Sequence, residues 1–154
     1  MYNLTMNIRK AKKKDVKDIV EVIKESVENT HQNIYSQENI QNILKNYTLE
    51  KVSHYITSYD YFVVEDNEKI VGCVLAKEGK MRSLYILPSY RGKGIGRMLV
   101  EVVEEHMKKQ GYKEIWLWSS LVSYDFYLHM GYEFLEDVTN DKGEIIDKAM
   151  RKSL

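Results

Sequence analysis

The run "LYILPSYRGKGIGRMLVEVVEEH", Leu84 to His106, passes from an apolar segment through glycines at every second position, Gly92, Gly94 and Gly96, into a long helical pattern. From Ile95 onward Ile95, Met98, Leu99, Val102, Val103 and Met107 line one face, Glu101, Glu104, Glu105, Lys108 and Lys109 face water, and Gly111 ends the helix. A helix N-terminus carries about half a positive charge and several unpaired N–H groups, and glycines let those donors crowd around an anion without Cβ interference. Three of the chain's eight glycines at one junction, with Arg91, Lys93 and Arg97 beside them, are more than a tight turn requires. A phosphate is the expected guest. The run is not a P-loop, which needs G-x-x-x-x-G-K followed by Ser or Thr. Nor is it the dinucleotide fingerprint: the spacing is G-x-G-x-G, and the preceding strand belongs to an antiparallel set rather than a βαβ unit.

Upstream of this junction, "YFVVE" and "KIVGCVLA" are short β-branched or aromatic runs joined by the turn-rich "DNEK", which predicts an antiparallel hairpin; a third strand, Met81 to Leu87, stops at Pro88, the only proline. Farther back the chain reads as helical from Asp15 to Ser58. Val16, Ile19, Val20, Ile23 and Val27 recur at three- and four-residue steps behind Asp15 as cap, Ile40, Ile43, Leu44 and Tyr47 follow Ser36, and a further turn or two begins at Thr48. A first strand lies near Asn7 to Lys10. Downstream, "EIWLW" is a strand, "SYDFYLHM" a short helix stopped by Gly131, and "YEFLEDV" and "IIDKAMRKS" a closing pair around "NDKG". The order β, helices, βββ, α, β, α, ββ, with short loops throughout, predicts a single α/β domain over residues 1–154.

Lys plus Arg and Asp plus Glu both total 23 and the pI is near 6.9, which removes the footprint of a general nucleic-acid binder. The one basic cluster, Lys10, Lys12, Lys13 and Lys14, reads as the solvated start of a helix. A single cysteine, Cys73 in "KIVGCVLA", excludes an internal disulfide framework and reads as a buried strand residue. No apolar run approaches the ~20 residues of a membrane span, and "MYNLTMNIRK" lacks the apolar stretch of a signal peptide. A soluble protein in the reducing cytoplasm is expected, with no membrane or nucleic-acid partner; a homodimer is left open. No spacing of His, Cys or carboxylates points to a metal.

The segment "RGKGIG", Arg91 to Gly96, matches the pyrophosphate loop (Q/R)-x-x-G-x-(G/A), and "FYLHMGY", Phe126 to Tyr132, matches an aromatic pair followed by x-x-x-Gly-aromatic. With these two motifs the chain resembles the GNAT superfamily of acetyl-CoA-dependent N-acetyltransferases, over nearly its whole length. The resemblance implies an α+β fold whose central, mostly antiparallel mixed sheet has splayed fourth and fifth strands and helices on both faces. It implies that backbone groups of Leu84, Tyr85 and Ile86 bond the pantetheine arm of acetyl-CoA, and that N–H groups from Arg91, Gly92, Lys93, Gly94, Ile95, Gly96 and Arg97 hold the pyrophosphate. Ser120 stands where many members carry an Asn that touches the cofactor, and Ser123 matches the small residue three before the aromatic pair. Tyr127 matches the tyrosine that serves the leaving thiolate.

Acetyl transfer to an amine needs a neutral nucleophile, yet an alkyl amine with pKa near ~10.4 is only about 0.04 % neutral at pH 7. The strand "MRSLYI" contains no carboxylate, so Glu78 just before it is the nearest candidate base, beside a water chain to Glu78 or Ser83, or His31 in the helix-to-helix connection. His54, His106 and His129 read as helix-face histidines. The acceptor is a small amine or a peptide. Glu133, Glu136, Asp137, Asp141, Glu144 and Asp147, with aromatic walls from Trp116, Trp118 and Tyr35, would suit a cationic acceptor; a solubilising rim beside core tryptophans is the other reading. The rival function, favoured by Ser120 and the missing strand carboxylate, is a catalytically silent acyl-CoA-binding sensor or interaction module.

Overall fold

The computed structural model describes residues 6–154, so half of the N-terminal stretch read against a signal peptide lies outside the described residues. In chain order the elements are β1 Met6–Lys10, α1 Val16–Thr30, α2 Gln37–Leu44, α3 Leu49–Ser58, β2 Asp60–Asp66, β3 Lys69–Lys77, β4 Lys80–Ile86, α4 Ile95–Lys109, β5 Glu114–Ser120, α5 Tyr124–His129, β6 Glu133–Thr139 and β7 Ile145–Ser153. Local chemistry sets several of their bounds. The Ser36 hydroxyl accepts from Asn39 N at 3.1 Å to start α2, and the Thr48 hydroxyl accepts from Lys51 N at 3.2 Å to start α3. Asn67 and Glu68, both at positive φ, form the two-residue turn between β2 and β3.

Asp15 departs from the expected cap. Its side chain makes no cap bond to α1; it accepts from Lys12 N at 2.7 Å and holds the Arg9 guanidinium at 2.8 and 2.9 Å, because a 3-10 turn over Lys13–Asp15 points it back toward β1. The buried face of α4 is also turned from the expected one. Ile95, Gly96, Leu99, Val100, Val103 and Met107 are buried, while Met98 and Val102 lie at the flank, because Gly96 rather than Met98 faces Phe126.

The seven strands form one sheet in the order β1-β2-β3-β4-β5-β7-β6. Every pairing is antiparallel except β4 with β5. Those two strands meet only at Lys80↔Trp116 and Met81↔Leu117 and then part, so the splay is present and the β5-facing edge of β4 is unpaired from Arg82 onward. A bulge accompanies the parting: Ser83 sits at φ +59, and the register slips so that Ser83 and Leu84 both stand opposite Val74. Cys73 lies beneath it, fully buried, its thiol pushed up to about 12 by burial, which makes it a core residue as expected. Trp116 and Trp118 are not core residues; they are 38% and 58% exposed on the open face of β5.

Candidate active site

Two cavities flank the gap between β4 and β5. The first, of about 490 Å³, is walled by the loop after β4, the first turn of α4, and α5. Pro88 opens a short 3-10 turn, the chain reverses through Gly92 (φ +73) and Gly94 (φ +81), and α4 begins with Gly94 as its N-cap and no side chain bonding its first N–H groups. That left-handed N-cap is a glycine's place. The result is a positive helix end lined on the cavity side by Gly92, Gly94, Ile95, Gly96 and Arg97, the surroundings a pyrophosphate needs. Gly96 has a further reason: a Cβ there would lie 3.2 Å from Phe126 Cζ and 3.3 Å from Ile86 Cδ1, so its smallness lets α4 close against α5.

Leu84, Ile86, Arg91 and Ser123 also line this cavity. Leu87 N–H donates to Val71 O on β3, so strand alternation turns Tyr85 N–H toward β3 as well and leaves Leu84 and Ile86 to face the gap. Of the three strand residues expected to bond the pantetheine arm, Tyr85 is therefore the one whose backbone amide is turned away. Lys93 is not part of the lining; its ammonium lies 4.9 Å over the Tyr90 ring. Arg97 pairs with Glu101 at 3.7 Å on the surface.

The second cavity, of about 480 Å³, lies on the other side of the gap and shares Leu84, Arg91 and Ser123 with the first. Its walls come from Ser26 and His31 at the end of α1, Asn46 and Tyr47 after α2, Lys80 to Tyr85 on β4, Trp118 and Ser120 on β5, Tyr127 on α5 and Asp147 on β7. Tyr35 is a strut rather than a wall. Its hydroxyl donates to Ile146 O at 2.7 Å and accepts from Leu121 N at 2.8 Å, and its ring stacks on His31 at 5.4 Å, tying the helices to β7. Ser120 uses its hydroxyl within the turn before α5, donating to Ser123 Oγ and accepting from Ser123 N, each at 3.2 Å. It lines the second cavity, not the first.

Glu78 is not brought to either cavity. It sits exposed at φ +48 in the β3–β4 turn, at the end of the strand remote from the phosphate loop. Asp147 takes its place. Of the six acids expected at the rim it alone lines the cavity; the other five are exposed, and Asp137 is already bound to Lys148 at 2.6 Å. The Asp147 carboxylate makes no hydrogen bond or ion pair among the described residues, and burial raises it to about 7. A carboxyl in that range can exchange a proton near neutral pH.

His31 is held neutral. Burial first, and the charge of Arg91 second, lower its imidazole to about 4. The Thr30 hydroxyl donates to Ser26 O and accepts from His31 Nδ1 at 2.9 Å, so the ring proton sits on Nδ1 and Nε2 is bare. Tyr127 is 6% exposed, its ring edge-on to Phe126 and Tyr132. Burial lifts its phenol well above the ordinary range, and its hydroxyl has no partner among the described residues, so a proton is held ready beside the gap. Among the described residues no group of three His, Cys, Asp or Glu side chains could hold a metal, and no helix is long and apolar enough to cross a membrane.

The chain is similar to known proteins. Along 159 residues the chain is 28% identical to the spermidine N(1)-acetyltransferase of Thermoplasma acidophilum, covering 94% of this chain and 98% of that one. An uncharacterized N-acetyltransferase of Chlorobaculum tepidum is 33% identical over 82 residues, a match to 50% of this chain that spans about half, 52%, of that protein's length. The crystal structure of the PaiA N-acetyltransferase from Thermoplasma acidophilum, in complex with coenzyme A, superposes with a TM-score of 0.81 at 26% identity, covering 98% of this chain and 100% of the other. The profile of the acetyltransferase (GNAT) domain matches residues 31–154, a span that takes in the glycine loop, the splayed strands and the aromatic helix and leaves out β1 and α1. With its glycine loop, splayed strands and aromatic helix inside that match, the chain belongs to the GNAT acetyltransferase family.

Proposed function

We propose that this protein transfers the acetyl group of acetyl-CoA to a primary amine by direct attack through the gap between β4 and β5. GNAT acetyltransferases use acetyl-CoA, and the uncapped start of α4 with Gly92 and Gly94 suits its pyrophosphate. The observation that carries the reading is the adjacency of two cavities sharing Leu84, Arg91 and Ser123, one built for a phosphate and the other holding a near-neutral carboxyl.

The proton steps follow from the side chains. Asp147 takes the proton of the entering ammonium, since a carboxyl at about 7 is half ionised where the amine is almost wholly charged. The gap-facing N–H of Ile86 is the donor to the oxyanion, in preference to that of Tyr85. Tyr127 faces the leaving thiolate. A phenol so far above a thiol's pKa of ~8.5 gives up its proton uphill, so its contribution is a hydrogen bond in the transition state. Ser120 and the absence of a carboxylate on β4 favoured a silent binding module; the carboxylate of Asp147, which lines the second cavity from β7, supports the enzyme instead.

A thiol-release assay across primary amines, run beside calorimetry with coenzyme A, tests the reading. Turnover with at least one amine is expected. Tight coenzyme A binding with no thiol release for any amine would instead identify an acyl-CoA sensor.

A further inference from the structure

Charge in the acceptor cavity is unbalanced. Lys80, Arg82 and Arg91 all line it, against the single carboxyl of Asp147, while His31 is neutral. None of the three cations holds a carboxylate. Arg91 donates only to the Ser26 and Thr30 hydroxyls at 3.4 and 3.3 Å, Lys80 lies 4.8 Å over the Trp118 ring, and Arg82 makes no hydrogen bond or ion pair among the described residues. Outside the cavity, Arg9 holds Asp15 and Glu65, and Arg97 holds Glu101. Arg is charged at any working pH and presents a flat fork of donors that fits a carboxylate.

Strand geometry sorts these charges. Lys80 and Arg82 alternate on one face of β4, while Asp147 comes from β7 on the far side of β5. The aromatic surfaces that would receive a second ammonium are already covered, Trp118 by Lys80 and Trp116 by Arg151 at 5.9 Å. A polycation would therefore meet like charge on the β4 wall and find both tryptophan rings already covered.

Resting on the acetyltransferase reading above, we infer that the acceptor is a small amino-carboxylate, seated with its amine at Asp147 and its carboxylate on Arg82 and Lys80. The expected cationic acceptor is replaced by a zwitterionic one.

The test uses pairs that differ only at the far end: β-alanine and its amide, 4-aminobutyrate and its amide, 6-aminohexanoate and its amide, with spermidine alongside. Two quantities are read on the intact protein, kcat/KM by thiol release and Kd by calorimetry with coenzyme A bound. In at least one pair the carboxylate is favoured by at least about tenfold, the size of one hydrogen bond to a charged group. That ratio falls toward unity in Arg82→Gln and, separately, in Lys80→Gln. Because it is taken within each variant, a general loss of activity does not mimic the result.

Equal or better use of the amides or of spermidine overturns the inference and leaves the acetyltransferase reading standing. A ratio that survives both substitutions overturns it too, since the carboxylate then sits elsewhere. No turnover with any compound, but tighter binding of the carboxylates than of their amides, removes the enzyme and keeps the site. No discrimination in either readout overturns the inference.

Discussion

The two cavities differ in how they are made. The first cavity is mostly local: one run from Tyr90 to Arg97 and another from Val122 to Met130 supply nearly all of it, with two residues of β4. The second cavity is assembled from a distance, its walls reaching from Ser26 on α1 to Asp147 on β7. A helix N-terminus recognises a phosphate whatever the rest of the chain does. A carboxyl becomes a base near neutrality only when other elements bury it.

The largest break in that comparison should come from Gly94→Glu. It puts a negative side chain on a left-handed N-cap at the positive end of α4, so calorimetry should show coenzyme A affinity reduced by about a hundredfold or more. The fold should survive, since the strain of such a backbone is on the order of 1–3 kcal/mol. Wild-type affinity in the folded variant would mean that the loop is a turn and nothing else.

Asp147→Asn should injure the second cavity alone. Loss of a general base lowers kcat/KM by about 10²–10⁴-fold, with coenzyme A binding retained. The same variant should be more stable than wild type at alkaline pH. The Asp147 carboxyl has a folded value of about 7 against 3.8 unfolded, so the folded state holds an extra proton between those values and wild-type stability falls as pH rises through them. Asn cannot ionise. By denaturant titration the variant should gain on the order of 1–3 kcal/mol at pH 8 and nothing near pH 4. An unchanged stability difference between the two pH values would show that Asp147 ionises freely in the fold.

Tyr127→Phe keeps the ring that packs on Phe126 and Tyr132 and removes only the hydroxyl. Turnover should fall by about 10²-fold with little change in coenzyme A affinity. Full turnover, where chemistry limits the rate, would leave Tyr127 a packing residue. Smallest of all is Glu78→Gln. An exposed turn residue outside both cavities should leave kcat/KM within about twofold, and a drop like that of Asp147→Asn would return the base to Glu78.

What was legible in the sequence follows the same division. The element order, the caps at Ser36 and Thr48, and the glycine loop are local signals, and all are present, while the splay of β4 and β5, implied by the family resemblance, is present too. Asp147 was visible only as one acid among six in a charged stretch, because its burial depends on pairing with Ser120 across β5 and on the strut of Tyr35. Lys80 and Arg82 carried no signal that set them apart from other basic residues. The bulge at Ser83 had no signal, since a serine at φ +59 is dictated by the sheet around it rather than by its own preference. Trp116 and Trp118 stood between wall and core for a related reason: alternation put them on one face, but nothing local says which face the helices leave open, and the structure leaves both exposed with Trp118 lining the second cavity.

The central claim, that amine activation is performed in the second cavity by Asp147, is tested most directly by the pH dependence of kcat/KM for a good acceptor. A carboxyl that is a base only when ionised makes kcat/KM rise with pH up to about 7 and then level off, well below the amine's own pKa of ~10.4. Asp147→Asn should lose that inflection as well as its rate. A profile that climbs steadily past pH 9, with the same shape in wild type and Asp147→Asn, would contradict the account.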